Sequence, residues 1–117
     1  MAKRSVIDKI RKYLNILQEN GFPVTGGVLY GSYARGEETP DSDMDVMVLS
    51  PLFDKNRKAK VGKLWTLAWK VDARIEPVPV GERRFKTDNV SPLLEMARRE
   101  GVFLRVSVKK DKLAKAG

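Results

Sequence analysis

The residues best suited to do chemistry fall within residues 31–45: Gly31 and Ser32, then Asp43 and Asp45. The two aspartates belong to an alternating run, Asp43 to Leu49, with Met44, Val46 and Val48 on one face and Asp43, Asp45 and Met47 on the other. That pattern predicts a strand with a polar end. Residues i and i+2 of a strand point the same way, about 7 Å apart. Two carboxylates held so close repel unless a cation sits between them. Hard oxygen donors suit Mg²⁺ or Mn²⁺, and Mg²⁺ takes one or two carboxylates and fills its shell with water and substrate phosphate. Asp43 and Asp45 therefore read as half of a metal site that a phosphorylated substrate completes.

Gly31 and Ser32 supply a complementary half. The apolar run Val28-Leu29-Tyr30 reads as a buried strand that breaks at Gly31. Ser32 to Arg35 then reads as a short helical turn ended by Gly36. A strand turning into a helical turn presents free backbone N–H groups to an anion. Gly31 has no Cβ, so a phosphate can approach the main chain, and Ser32 adds a hydroxyl donor. Arg35 is either a further cation for phosphate or a partner for the neighbouring acids. A phosphate cradle and a metal pair joined by one loop fit a nucleoside triphosphate with its metal. Asp41, Asp43 and Asp45 also imitate the opening of a calcium-binding EF-hand loop. Val46 and Leu52 stand where that loop needs Gly and Glu, which removes the calcium reading.

Composition removes other chemistries. The chain has 117 residues, no Cys and no His. Disulfides, thiolate metal sites, cysteine nucleophiles, Ser-His triads and His-based zinc sites are all excluded. The length predicts one domain, assigned to residues 1–108, with a basic tail over 109–117. No apolar run approaches the ~20 residues of a membrane helix. The N-terminal stretch threads charges through its apolar residues and is no secretory signal, so a cytoplasmic protein is expected. The net charge of +8 favours polyanionic partners: nucleotides, nucleic acid or an acidic protein. The acidic concentration from Glu37 to Asp45 stands out against that background.

The elements that must position these residues follow from periodicity. Ser5 and Asp8 resemble a capping box opening a helix whose stripe is Val6, Ile7, Ile10, Leu14 and Leu17, stopped at Gly21. Residues 56–71 predict a second helix with Val61, Leu64, Trp65, Ala68 and Val71 inward. Trp65 reads as packing, and Trp69 lies further round that helix, where it would belong to a partner surface. Arg74 to Val80 predicts a strand, and Pro77 and Pro79 place it at a sheet edge because they lack amide donors. Glu82 to Val90 reads as a loop. Ser91-Pro92 opens a helix running to Glu100, and Val102 to Val108 predicts a last strand. The order implies an α/β (α+β) fold: a small mixed β-sheet of about four strands with helices packed on one face.

Gly31-Ser32 through Asp43 and Asp45 resembles the signature of the DNA polymerase beta-type nucleotidyltransferase superfamily. The segment GSYARGEETPDSDMDVMV is most similar to the minimal nucleotidyltransferases, small stand-alone proteins often paired with a helical HEPN-domain partner in toxin–antitoxin modules. The resemblance implies a polymerase beta-like palm fold, two divalent metals on the paired aspartates, and a triphosphate on the Gly-Ser turn. It also implies a third carboxylate on a neighbouring strand. Glu76, flanked by Ile75 and Pro77, is the better match, and Asp72 is the alternative. The family more often has Asp there, one methylene shorter. The implied reaction moves an NMP, AMP the expected one, from an NTP such as ATP to a hydroxyl acceptor, possibly a side chain of a HEPN toxin. The implied catalytic and metal residues are Asp43, Asp45 and Glu76, and the nucleotide-binding residues are Gly31, Ser32 and Arg35. A chain this short has no room for base- and acceptor-recognition domains, so a protein partner or a homo-oligomer is expected to supply them. The competing reading is a non-catalytic antitoxin or adaptor that neutralises a partner by binding. Direct nucleic-acid binding through the basic surface is a third.

Overall fold

Every residue of the strand Gly26–Tyr30 (β1) is buried, so the sheet around it must be covered on both faces. The computed structural model describes residues 2–106. Helix Arg4–Glu19 (α1) precedes β1, and the single turn Ser32–Arg35 (α2) follows it. Strand Met44–Ser50 (β2), the short helix Leu52–Lys55 (α3) and helix Val61–Val71 (α4) come next. Strand Ile75–Gly81 (β3), helices Glu82–Thr87 (α5) and Pro92–Glu100 (α6), and strand Val102–Arg105 (β4) complete the chain order. The four strands lie in the order β3-β2-β1-β4. β1 is antiparallel to β2 and β4, and β2 is parallel to β3, with α4 in the crossover. This is the four-stranded mixed sheet with helices that the sequence predicts.

The expectation of helices on one face needs correction. Met44, Val46, Val48 and Leu29 join the α1 residues Ile10, Tyr13, Leu14 and Leu17 and the α4 residues Leu64, Leu67 and Ala68 in one core. The alternate residues Val28, Tyr30, Met47, Leu49 and Val80 meet Phe85 of α5 and Leu94 and Ala97 of α6 on the other face. β1 and the inner part of β2 are apolar at nearly every position, so no alternation marks a solvated face. Within the first core the Tyr13 hydroxyl donates to the Leu64 carbonyl at 2.8 Å and ties α1 to α4.

Three local expectations also shift. The Ser5–Asp8 capping box does not form: α1 starts at Arg4, Lys3 makes no side-chain cap, and the Lys3 carbonyl accepts from the amides of Val6 and Ile7. The helix expected over 56–71 begins at Val61 instead, because the Asn56 side chain accepts from the Lys58 amide and ends α3 there. The stretch read as a loop from Glu82 contains α5. Its first amides are satisfied by Asp54, whose two carboxylate oxygens accept from Arg83 N at 2.9 Å and Arg84 N at 3.1 Å. The Ser91-Pro92 start of α6 stands as expected, with Ser91 Oγ accepting from Leu94 N at 3.3 Å. β3 occupies a sheet edge, as Pro77 and Pro79 require. The end of the predicted last strand and the basic tail lie outside the described residues.

Candidate active site

The parallel register of β2 and β3 sets Asp45 directly beside Glu76, and the antiparallel register of β1 sets Tyr30 opposite Asp45. Directly paired residues share a face, with Cβ atoms about 5 Å apart. Tyr30, Asp45 and Glu76 thus form one row across three strands, on the face opposite α1 and α4. The Met44 amide donates to the Arg74 carbonyl at 2.7 Å and locks the entry of β2 against that of β3. Asp43, exposed and one residue before β2, reaches the same row.

The electrostatics of the row are those of crowded like charges. Glu76 shares a hydrogen bond with Asp43, and that bond, partial burial and the charges of Asp43 and Asp45 push its carboxyl up to about 6. Burial, then the charge of Asp43, raises Asp45 above its ordinary value. Burial, then the charges of Asp45 and Glu76, pushes the Tyr30 hydroxyl up to about 12. Among the described residues, none of these three acids forms an ion pair with Lys or Arg. A divalent cation would relieve the repulsion, and the donor set is all hard oxygen, so the residues fit Mg²⁺ or Mn²⁺. Among the described residues no three acids already close on one point as a full cage. Mg²⁺ sites need no such cage, since the ion keeps waters and substrate oxygens.

Gly31 abuts this row. Its φ of 79° lies in the left-handed region, and a Cβ there would fall 2.6 Å from Asp45 Oδ2. Only glycine meets both demands. The Gly31 carbonyl accepts from the amides of Ala34 and Arg35, so α2 starts there, and the first amides of the turn have no helical acceptor. Ser32 is half-buried at that start. Gly36, at φ 72°, ends the turn, and the Glu37 amide closes it onto the Ser32 carbonyl at 2.9 Å. The Gly31-Ser32 bend and the carboxylate row are therefore in direct contact.

The other predicted residues sort clearly. Arg35 pairs with Glu37 at 2.8 Å and with Glu100 of α6 at 3.6 Å, the acid-pairing role rather than an open cation beside Ser32. Asp72, the alternative third acid, lies away from Asp43 and Asp45: it binds Lys9 Nζ at 2.8 Å and takes the Arg74 amide and guanidinium. Tyr33, next to Ser32, is buried, and its hydroxyl accepts from Arg74 Nη1 at 3.0 Å. Tyr30 went unread as a site residue; its signal was its place as the last strand residue before Gly31. The best-formed cleft, about 360 Å³ between Lys3, Lys9, Tyr33, Glu38 and Arg74, lies beside α1 and does not include the carboxylate row. The cations of the cleft are already matched by Glu38 and Asp72, whereas the acids of the row have no such partner among the described residues.

The chain is similar to known proteins in sequence and in fold. The chain is 47% identical over 47 residues to a Methanocaldococcus jannaschii protein provisionally named protein adenylyltransferase MJ1379. That match covers 40% of this chain and 43% of the relative, so the chain spans less than half the length of that curated protein. Among solved structures, a toxin–antitoxin crystallised with AMP-PNP superposes with a TM-score of 0.55 at 25% identity, over 91% of this chain and 77% of that one. A mutant MntA–HpeT toxin–antitoxin superposes with a TM-score of 0.56 at 21% identity, over 87% and 77%, a likeness of fold. Residues 9–99 match the nucleotidyltransferase domain family, and with its carboxylate row set against the Gly31-Ser32 bend the chain belongs to that family.

Proposed function

We propose that this chain is a nucleotidyltransferase that moves an NMP, AMP in the first instance, from an NTP to a hydroxyl on a partner protein. The observation that carries this reading is the register of Asp45 beside Glu76, with Asp43 hydrogen-bonded to Glu76 and Gly31 pressed against Asp45. Asp43, Asp45 and Glu76 are the residues that would hold divalent ions. Bound there, Mg²⁺ would neutralise the triphosphate and the charge developing on attacking and leaving oxygens. Ser32, through hydroxyl and amide, would hold the outer phosphates and leave the α-phosphorus facing the carboxylates. The acceptor oxygen attacks that phosphorus, its proton passes to Glu76, and the bond to the β-phosphate breaks to release pyrophosphate. Arg35 would join the phosphate site only by leaving Glu37 and Glu100.

The acceptor belongs to a protein partner in this reading. The support is the adenylyltransferase name of the relative and the toxin–antitoxin assemblies among the structural neighbours. A helical HEPN-type toxin is the partner that the sequence resemblance implies. The same neighbours favour a second reading, an antitoxin that neutralises its partner by binding alone. Incubation with α-labelled ATP, Mg²⁺ and the protein encoded beside it separates the two. Label on the partner that Asp43→Asn abolishes supports transfer. A tight complex that never takes label supports binding alone.

A further inference from the structure

Away from the carboxylate row, residues 55–63 carry Lys55, Arg57, Lys58, Lys60 and Lys63 with no acid among them. All five are exposed. None forms an ion pair with a carboxylate among the described residues. The nearest acid in sequence, Asp54, is occupied by the amides of α5. Lys63 Nζ donates to the Asn20 carbonyl at 3.3 Å, and the fold gains little else from this crowding. The first turn of α4 contains no acidic residue, so Lys60 and Lys63 sit at the positive end of the helix dipole. Lys60 is also the one non-glycine residue with positive φ among the described residues, at 54°. Its ammonium lies 5.7 Å from the centre of the Phe22 ring, a partial compensation. Like charges held together at a cost are the footprint of a polyanionic ligand.

The strip continues along α4. Lys63, Thr66, Trp69 and Lys70 recur at helical spacing and are all exposed. Trp69 is 57% exposed and held edge-on by Trp65, with ring centres 6.0 Å apart. The other large exposed apolar residues, Val90, Leu93 and Phe103, lie on other elements. Protein interfaces build an apolar core and exclude lysine from it. A single stacking platform in a field of cations instead fits a strand of phosphates with unpaired bases. We propose that the turn before α4 and the exposed face of that helix bind single-stranded nucleic acid. This surface lies on the face of the sheet opposite Asp45 and Glu76, so it stands or falls independently of nucleotidyl transfer.

The only two tryptophans in the chain, Trp65 and Trp69, are both on α4, so tryptophan emission, excited selectively over the three tyrosines, reports on this helix. The full-length protein is titrated with an unstructured oligouridylate of about 12 nucleotides. Quenching is expected, with a log–log salt slope of about −3 for four or five phosphates. With a fluorescein-labelled oligonucleotide and anisotropy, Trp69→Ala should weaken binding about tenfold, and Trp69→Phe should restore part of the loss. Lys55→Ser with Lys58→Ser should flatten the salt slope by about 1.4, while Asp45→Asn leaves binding unchanged. The proposal is overturned if no quenching occurs at about 50 mM salt. It is equally overturned if Lys109→Ser with Lys110→Ser removes binding that the strip variants leave intact. Polyglutamate binding as tightly, with the same dependence on Trp69, would assign the surface to an acidic protein instead.

Discussion

Asp72 and Glu76 stand four residues apart at the entrance to β3 and live in opposite electrostatic worlds. Asp72 is enclosed by the Arg74 guanidinium, the Lys9 ammonium and the Arg74 amide, which hold its carboxyl well below the usual carboxylate range. Glu76 faces Asp43 and Asp45 and is pushed up to about 6. The first arrangement satisfies a charge within the fold and clamps α1 to the strand entrance. The second leaves charge unsatisfied, which marks the cluster as a candidate for a bound cation. Satisfied acids belong to architecture and unsatisfied ones to chemistry, and the two can be separated experimentally.

The largest expected difference is in transfer rate. Glu76→Gln should lower nucleotidyl transfer by about 10²–10⁴-fold, whereas Asp72→Asn should leave it within about threefold. Equal losses would erase the distinction. Next comes stability. Asp72→Asn should cost about 1–2 kcal/mol at pH 7 by denaturant unfolding, a value discounted for the exposure of its partners. Since the folded carboxyl titrates below its ordinary value of 3.8, that contribution is complete above this value and disappears as pH falls through the folded one. The gap between wild type and Asp72→Asn should therefore close in acid. The smallest effect has the opposite sign. Without divalent metal, Glu76→Gln should raise stability by about 0.5–1 kcal/mol at pH 7. Glu76 is protonated more readily in the fold, so this gain should vanish below its ordinary value of 4.5 and be full above about 6. Added Mg²⁺ should raise the Tm of the wild type and not that of the variant.

What the sequence makes legible is what is local in it. Gly31, Ser32, Asp43 and Asp45 lie on one strand-loop-strand unit, so spacing alone shows their common direction. Glu76 is singled out by the resemblance and by its neighbours Ile75 and Pro77, since parity puts Asp72 on the same face; the register that sets it beside Asp45 appears only in the fold. Where the reading fails, the determining contact is distant. Nothing within residues 82–90 signals α5, because the acid that caps it is Asp54, on α3. The second covered face escapes notice because β1 is buried throughout and carries no alternation. Arg35 has two readings in sequence, and its pairing with Glu100 of α6 is a distant contact that the sequence does not show. The Ser5 box is lost because α1 starts at Arg4, which puts the exposed Ser5 inside the first turn rather than at its cap.

The edge position of β3 has one more effect. Pro77 and Pro79 deny the outer side of this strand two amide donors, so no second strand can zip onto it in register. The margin next to Glu76 is thereby closed to fibril-like stacking and to partners that dock by lending a strand. In the proposed reaction, whatever delivers the hydroxyl would be recognised here by its side chains.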